Sequence, residues 1–170
     1  MRYLTIVRHA KAERAAPEQG DFERRLNDRG RRQCEALRAW ASDASELGKY
    51  GPTTALVSAA ARTRETYQRA FEGTPFVAEC QFSELIYNGV HDVSADDVLI
   101  DLAAIDPVTT SLLVVGHNPT VLEFIWTLSE ELPDSLRQGY TLAGAYVLGL
   151  PEDEQVGRGP YPLVARYVPD

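Results

Sequence analysis

The chain is poor in the residues that mark a metal or redox centre. Its 170 residues include three histidines and two cysteines, and none of these falls at a spacing typical of metal ligands. Cys34 and Cys80 make a poor disulfide framework, and Cys34 lies at an apolar helical position that suits a buried free thiol. No zinc site and no cofactor is expected. No glycine-rich fingerprint follows the first apolar run and no Walker motif occurs, which excludes a dinucleotide-binding domain of Rossmann type and a P-loop. A basic start leading into an apolar h-region is also missing, and no apolar run approaches membrane length. The expectation is a cytoplasmic protein with no membrane partner. Positive charge is scarce too: 17 Lys and Arg against 25 Asp and Glu give a formal net charge of −8. That balance argues against a nucleic-acid footprint, but not against a small phosphate, because a few arginines can dominate one pocket.

What remains is an ordinary globular composition, 44% hydrophobic and 25% charged, at a length that suits one domain spanning residues 1–170. Arg2–Val7 reads as a strand, and residues 10–27 as a polar loop. Cys34, Leu37, Trp40, Ala41, Ala44 and Leu47 then recur at helical spacing, with Asn27 or Asp28 as N-cap. Thr53–Val57 is a β-branched strand candidate, followed by a helix from about Ala60 to Phe71. Phe76–Ala78 reads as a short strand and residues 80–93 as loop. Ser94–Asp97 resembles a capping box leading a helix with Val98, Leu99, Leu102 and Ile105 on one face. A strand at 112–115 follows, then a helix whose Thr120–Glu123 start matches the capping-box pattern. Two strands, roughly 144–149 and 162–168, close the chain. Strands alternating with helices predict a layered α/β fold with a largely parallel sheet.

Two of the three histidines follow buried-looking strands directly: His9 after Arg8, and His117 after Gly116. Ligands of parallel α/β sheets bind just beyond the carboxyl ends of strands. Two imidazoles delivered there can face one another across one pocket, which suits phosphoryl chemistry. His91 lies in a polar loop and reads as a surface residue.

Arg8-His9-Ala10-Lys11-Ala12-Glu13 resembles the signature of the histidine phosphatase superfamily, and within it the small phosphohistidine phosphatase (SixA-like) branch, which carries Ala-Lys after the Arg-His pair. The resemblance continues through Asp21–Gly30, Ser58–Thr66 and Val115–Pro119, in the family's order, and covers most of the chain from Arg2 to about Glu123. Ala59, Glu65 and Arg25 depart from the family's usual residues without replacing a group expected to touch phosphate. The fold implied is a three-layer α/β sandwich of the phosphoglycerate-mutase type, with a mostly parallel central sheet, helices on both faces and no large cap. The activity implied is a metal-independent phosphatase.

By this resemblance His9 is the nucleophile, forming a phosphohistidine that water then hydrolyses. Arg8 and Arg62 hold the phosphoryl oxygens with rigid, permanently charged forks, and Arg62 falls near a helix first turn, where backbone N–H groups favour an anion. His117 serves as a donor to a phosphate oxygen; phosphate and carboxylate charge would raise its pKa and the arginines would lower it. Lys11, Arg24 and Asn27 are candidates for the pocket rim, with surface-charge or helix-cap roles as the competing reading. Ser58 either donates to phosphate or closes the strand-to-helix turn, and the turn is favoured.

The leaving group discriminates between substrates. An alkoxide leaves poorly and needs a carboxylic acid to protonate it; the candidate here is Glu84. A phosphoramidate nitrogen leaves readily once protonated, and a chain without a cap insertion suits a phosphate presented on another protein. Phosphohistidine on a partner protein is therefore the expected substrate. The alternatives are a small phosphate ester, with Glu84 as general acid, and a phosphohistidine-binding module without turnover.

Overall fold

In β1 (Arg2–Arg8), alternate residues point to opposite faces of a sheet, and this alternation sets the layers. The computed structural model describes residues 1–89 and 92–169, so His91 lies outside the described residues. The other strands are β2 (Thr53–Ser58), β3 (Val77–Ser83), β4 (Ser111–Gly116), β5 (Ala145–Leu150) and β6 (Leu163–Tyr167), in sheet order β3-β2-β4-β1-β5-β6. β3, β2, β4 and β1 are mutually parallel; β5 runs antiparallel to β1, and β6 antiparallel to β5.

Leu4, Ile6, Leu112 and Val114 bury one face of the sheet with Val98 and Leu102 of α3 (Ala95–Ile105) and Phe124 and Leu128 of α4 (Thr120–Leu128). Val7, Leu113 and Val115 point the other way. They meet Cys34 and Leu37 of α1 (Asp28–Ser42) and Tyr67 and Ala70 of α2 (Ala61–Ala70). The result is the expected three-layer sandwich with a mostly parallel sheet. A four-residue helix, α5 (Asp134–Arg137), precedes β5.

Local signals explain most boundaries. The Asn27 side chain accepts from the Gly30 N–H and starts α1, while Ser94 and Asp97 form a reciprocal capping box at α3. Four local expectations need correction. α1 ends at Ser42, and Leu47 belongs to a separate short 3-10 turn, Leu47–Tyr50. The strand expected at 76–78 runs to Ser83; it is a sheet edge on which exposed Ala78, Glu79 and Gln81 interrupt half-buried Val77, Cys80 and Phe82, so no continuous apolar run marks it. Residues 10–27 contain a 3-10 turn at Asp21–Glu23. Thr120 does not cap α4: its hydroxyl donates to the Val93 carbonyl and accepts from Asn88 Nδ2, while Pro119 is the N-cap residue and offers no side-chain cap.

Gly30 serves the site by its lack of a side chain. A Cβ there would sit 2.1 Å from the Lys11 carbonyl oxygen, so any other residue would push α1 away from the segment that follows β1. Asn27 N–H bonds the same oxygen at 3.1 Å.

Candidate active site

Register brings the two histidines together. Arg8 pairs with Gly116, and Val57 with Val115, so β1, β4 and β2 end at one level of the sheet. The His9 N–H donates to the Gly116 carbonyl at 3.0 Å. The His9 and His117 rings then lie with centroids 5.3 Å apart, over a cavity of about 480 Å³ that Arg8 and Arg62 also line.

His9 is 8% exposed, and its Nδ1 lies 2.7 Å from the Ala10 carbonyl oxygen. A carbonyl only accepts, so Nδ1 carries the hydrogen and Nε2 keeps its lone pair. The segment is fixed in turn: Ala10 N–H donates to Thr66 Oγ1, whose own hydroxyl donates to the Arg62 carbonyl. Burial, and then the Arg62, Arg8 and Arg24 charges, outweigh the Ala10 carbonyl and lower the His9 pKa to about 3. The imidazole is neutral at neutral pH, as a nucleophile must be.

His117 is 3% exposed, and its Nε2 lies 2.7 Å from Ser58 Oγ. Burial, then the neighbouring His9 and Arg62, lower its pKa to about 2. Of the two opposing influences weighed for this ring, the lowering one prevails in the protein without phosphate. Ser58 is a correction. The strand-to-helix turn is closed by Thr63, whose hydroxyl donates to the Ser58 carbonyl at 2.6 Å, which frees the serine hydroxyl to orient His117.

The arginines are held from behind. Arg8 Nη1 donates to the Tyr140 carbonyl at 2.7 Å. Arg62, in the first turn of α2, donates from Nη1 to the Asp21 carbonyl at 2.9 Å and from Nη2 to Asp21 Oδ2 at 3.1 Å. Asp21 Oδ2 also accepts from the Tyr87 hydroxyl at 2.8 Å, and Oδ1 accepts from Arg24. Partial burial works to raise the Asp21 pKa, but Tyr87, Arg62 and Arg24 outweigh it and hold the carboxyl below its usual range. Asp21 is therefore an ionised carboxylate on the wall of the cavity. Arg8 Nε, Arg62 Nε and His117 Nδ1 are buried and make no hydrogen bond within the described protein.

Of the residues nominated from sequence, His9, Arg8, Arg62, His117, Lys11 and Arg24 share the cavity wall. Two do not. Asn27 spends its side chain capping α1. Glu84 is exposed and is not among the cavity-lining residues, because it lies just beyond the end of β3, an edge strand three places from β1. Asp21, Tyr87, Asn88 and Asn118 line the cavity without having been nominated. Asp21 opens the Asp21–Gly30 motif; nothing in the local pattern of Tyr87 marks its reach to Asp21. Among the described residues, no group of three or more His, Cys, Asp or Glu is arranged to hold a metal ion, and no helix is long and apolar enough to cross a membrane.

The family model of the histidine phosphatase superfamily (branch 1) matches residues 4–104, which contain the Arg8-His9 pair and Arg62. The chain belongs to this superfamily. Within it the chain is SixA-like. It is 27% identical to a protein of Agrobacterium tumefaciens assigned as the phosphohistidine phosphatase SixA, over 99% of both chains, with a TM-score of 0.77. A protein of the same assignment from Nakamurella multipartitia is 25% identical over 99% of this chain and 96% of that one, with a TM-score of 0.74. The protein histidine phosphatase SixA in complex with tungstate shares the fold at 19% identity and a TM-score of 0.73, over 96% and 95% of the two chains. No curated protein matches at the sequence level. Membership makes this histidine phosphatase a hydrolase of phosphorylated substrates, acting through a phosphohistidine enzyme intermediate.

Proposed function

We propose that the protein dephosphorylates phosphohistidine on a partner protein, with His9 as the nucleophile. The observation that carries this reading is the His9 tautomer: Nδ1–H donates to the Ala10 carbonyl, which leaves the Nε2 lone pair beside two arginines and His117. In the first step Nε2 attacks phosphorus and the substrate P–N bond breaks. The electron pair returns to the substrate nitrogen that held phosphorus, and because the other ring nitrogen already carries a proton from solvent, the leaving group is neutral imidazole. In the second step water attacks phosphorus, the P–Nε2 bond breaks with its pair returning to His9, and the water proton passes to solvent. Arg8 and Arg62 stabilise the charge on the equatorial oxygens. His117, oriented by Ser58, donates to one of those oxygens once the phosphoryl charge has raised its proton affinity.

Two features support a phosphoramidate over an alkyl ester. Asp21 is ionised and so is a poor proton donor, and Glu84 stands outside the cavity. An alkoxide would depart without its acid, whereas a protonated imidazole departs unaided. Both features weigh against the small-ester reading in which Glu84 is the acid. One continuous sheet supports treating residues 1–170 as a single histidine-phosphatase domain.

The test is direct. Mixing with an activated aryl phosphate and quenching in alkali should trap an acid-labile phosphoenzyme, absent from His9→Ala. Wild-type turnover by His9→Ala would end the nucleophile assignment, and tight phosphate binding without turnover would favour a binding module. A panel of phosphohistidine peptide, phosphoserine peptide and sugar phosphates then reads the substrate. The first should show the highest kcat/KM.

A further inference from the structure

The catalytic cavity does not end at its own wall. Arg8, Asn118 and Leu142 also border a second hollow of about 470 Å³, between the start of α1 and the 138–142 loop. That hollow shares Arg29, Gln33 and Pro169 with a third, of about 400 Å³, which reaches Arg32 and Tyr167. Together they form a trench leading away from His9 along α1 to the sheet edge at β6.

The charge of this trench runs against that of the protein. The chain carries a formal net charge of −8, yet no carboxylate among the described residues lines the second or third hollow. Arg29 and Arg32 are exposed and make no hydrogen bond or ion pair within the described protein, unlike their neighbours. Arg31 is tied to Asp28 and Glu65, Arg25 to Glu65, and Arg24 to Asp21. Lys11, on the catalytic cavity itself, is likewise an exposed and unpaired cation. Three free cations thus border the successive hollows, Lys11 the catalytic cavity, Arg29 the second and third, and Arg32 the third, while Arg24, Arg25 and Arg31 are paired.

We propose that this trench docks an acidic polypeptide segment flanking the phosphorylated histidine of the partner. The assignment rests on the phosphohistidine reading above and adds which surface selects the partner. A cationic border of this kind steers an acidic partner and fixes its register more than it adds contact energy. The trench walls set the Arg29, Arg32 and Gln33 side chains among apolar surface from Ala36, Leu142 and Pro169, and the 138–142 loop is non-helical, which suits an extended segment with acidic side chains. Small aryl phosphates reach only the catalytic cavity and are indifferent to Arg29 and Arg32.

The experiment compares two phosphohistidine peptides, one with Glu and Asp in its flanks and one with Ser and Gly, against p-nitrophenyl phosphate. The full chain and the double variant R29E/R32E, both exposed positions, serve as enzymes. Wild type should favour the acidic peptide at least tenfold in kcat/KM, chiefly through KM, with the preference shrinking as salt rises. The variant should lose that preference and cleave p-nitrophenyl phosphate at the wild-type rate. Equal cleavage of both peptides by wild type, or an equal loss on all three substrates in the variant, overturns the proposal. If neither peptide is hydrolysed, the phosphohistidine reading fails, and docking is read by competition with p-nitrophenyl phosphate hydrolysis. An unphosphorylated acidic peptide that inhibits wild type but not the variant supports docking; no inhibition overturns it. A single-stranded RNA that competes as well as the acidic peptide overturns the choice of a polypeptide.

Discussion

Arg62 Nη2 lies 3.1 Å from Asp21 Oδ2, joining a helix first turn to a loop 41 positions earlier in the chain. The contact aims the guanidinium but also places a negative charge beside the anion-binding cavity. Asp21→Asn keeps the backbone carbonyl that Arg62 Nη1 uses and removes that charge. Inorganic phosphate should then inhibit several-fold more tightly, on the order of 1 kcal/mol for one charge at this range in a partly screened site. Weaker inhibition would mean that aiming Arg62 outweighs the repulsion.

Glu84→Gln should leave kcat/KM within about twofold of wild type for alkyl and aryl phosphates alike, because the side chain is exposed and away from the cavity wall. A selective loss on alkyl phosphates would restore Glu84 as the acid.

The pH dependence of kcat/KM reports groups of the free enzyme. With the His9 pKa lowered to about 3, the nucleophile stays neutral through mildly acidic solution. Hydrolysis of an aryl phosphate, corrected for substrate ionisation, should show no limb near pH 6.5. A tenfold fall per unit below that value would show that His9 titrates like an exposed imidazole.

Stability should respond to acid through the same rings. His9 and His117 have folded-state pKa values of about 3 and about 2, while the unfolded chain protonates them near 6.5. Between those limits the unfolded state binds more protons, so stability falls as pH falls below about 6.5, by up to roughly 1.4 kcal/mol per unit for each ring. Urea midpoints taken from pH 7.5 to 5 should drop, and the slope should be shallower in His9→Asn. An unchanged slope in that variant would remove His9 as a cause.

Asn27→Ala should cost about 1 kcal/mol of stability, the usual value of a helix N-cap, with activity on aryl phosphate retained. A large loss of activity with an unchanged melting temperature would return Asn27 to the pocket rim.

Much of this was legible in the sequence because its causes are local. The apolar runs ending in Arg8-His9 and Gly116-His117 fix two strand ends, and parallel α/β sheets bind ligands at such ends. Asn27 and Ser94 announce their helices through bonds to residues three positions on. The same reasoning misread Thr120, whose pattern fits a cap but whose hydroxyl is taken by Val93 and Asn88. It also cut β3 short, since an edge strand needs no continuous apolar run.

The sequence alone therefore determined the layered α/β class through its periodicity, while the resemblance of its short motifs to the histidine phosphatases pointed to His9 as nucleophile and to Arg8 and Arg62 as the clamp. Only the tertiary structure decided what surrounds them: Ser58 turned to His117, Asp21 drawn to Arg62 and Tyr87, Glu84 left in solvent, and Arg29 and Arg32 unpaired along a trench. Those outcomes depend on strand order and on the path of the 10–27 loop. Contacts between residues 41 and 66 positions apart are fixed by packing, which no local pattern encodes.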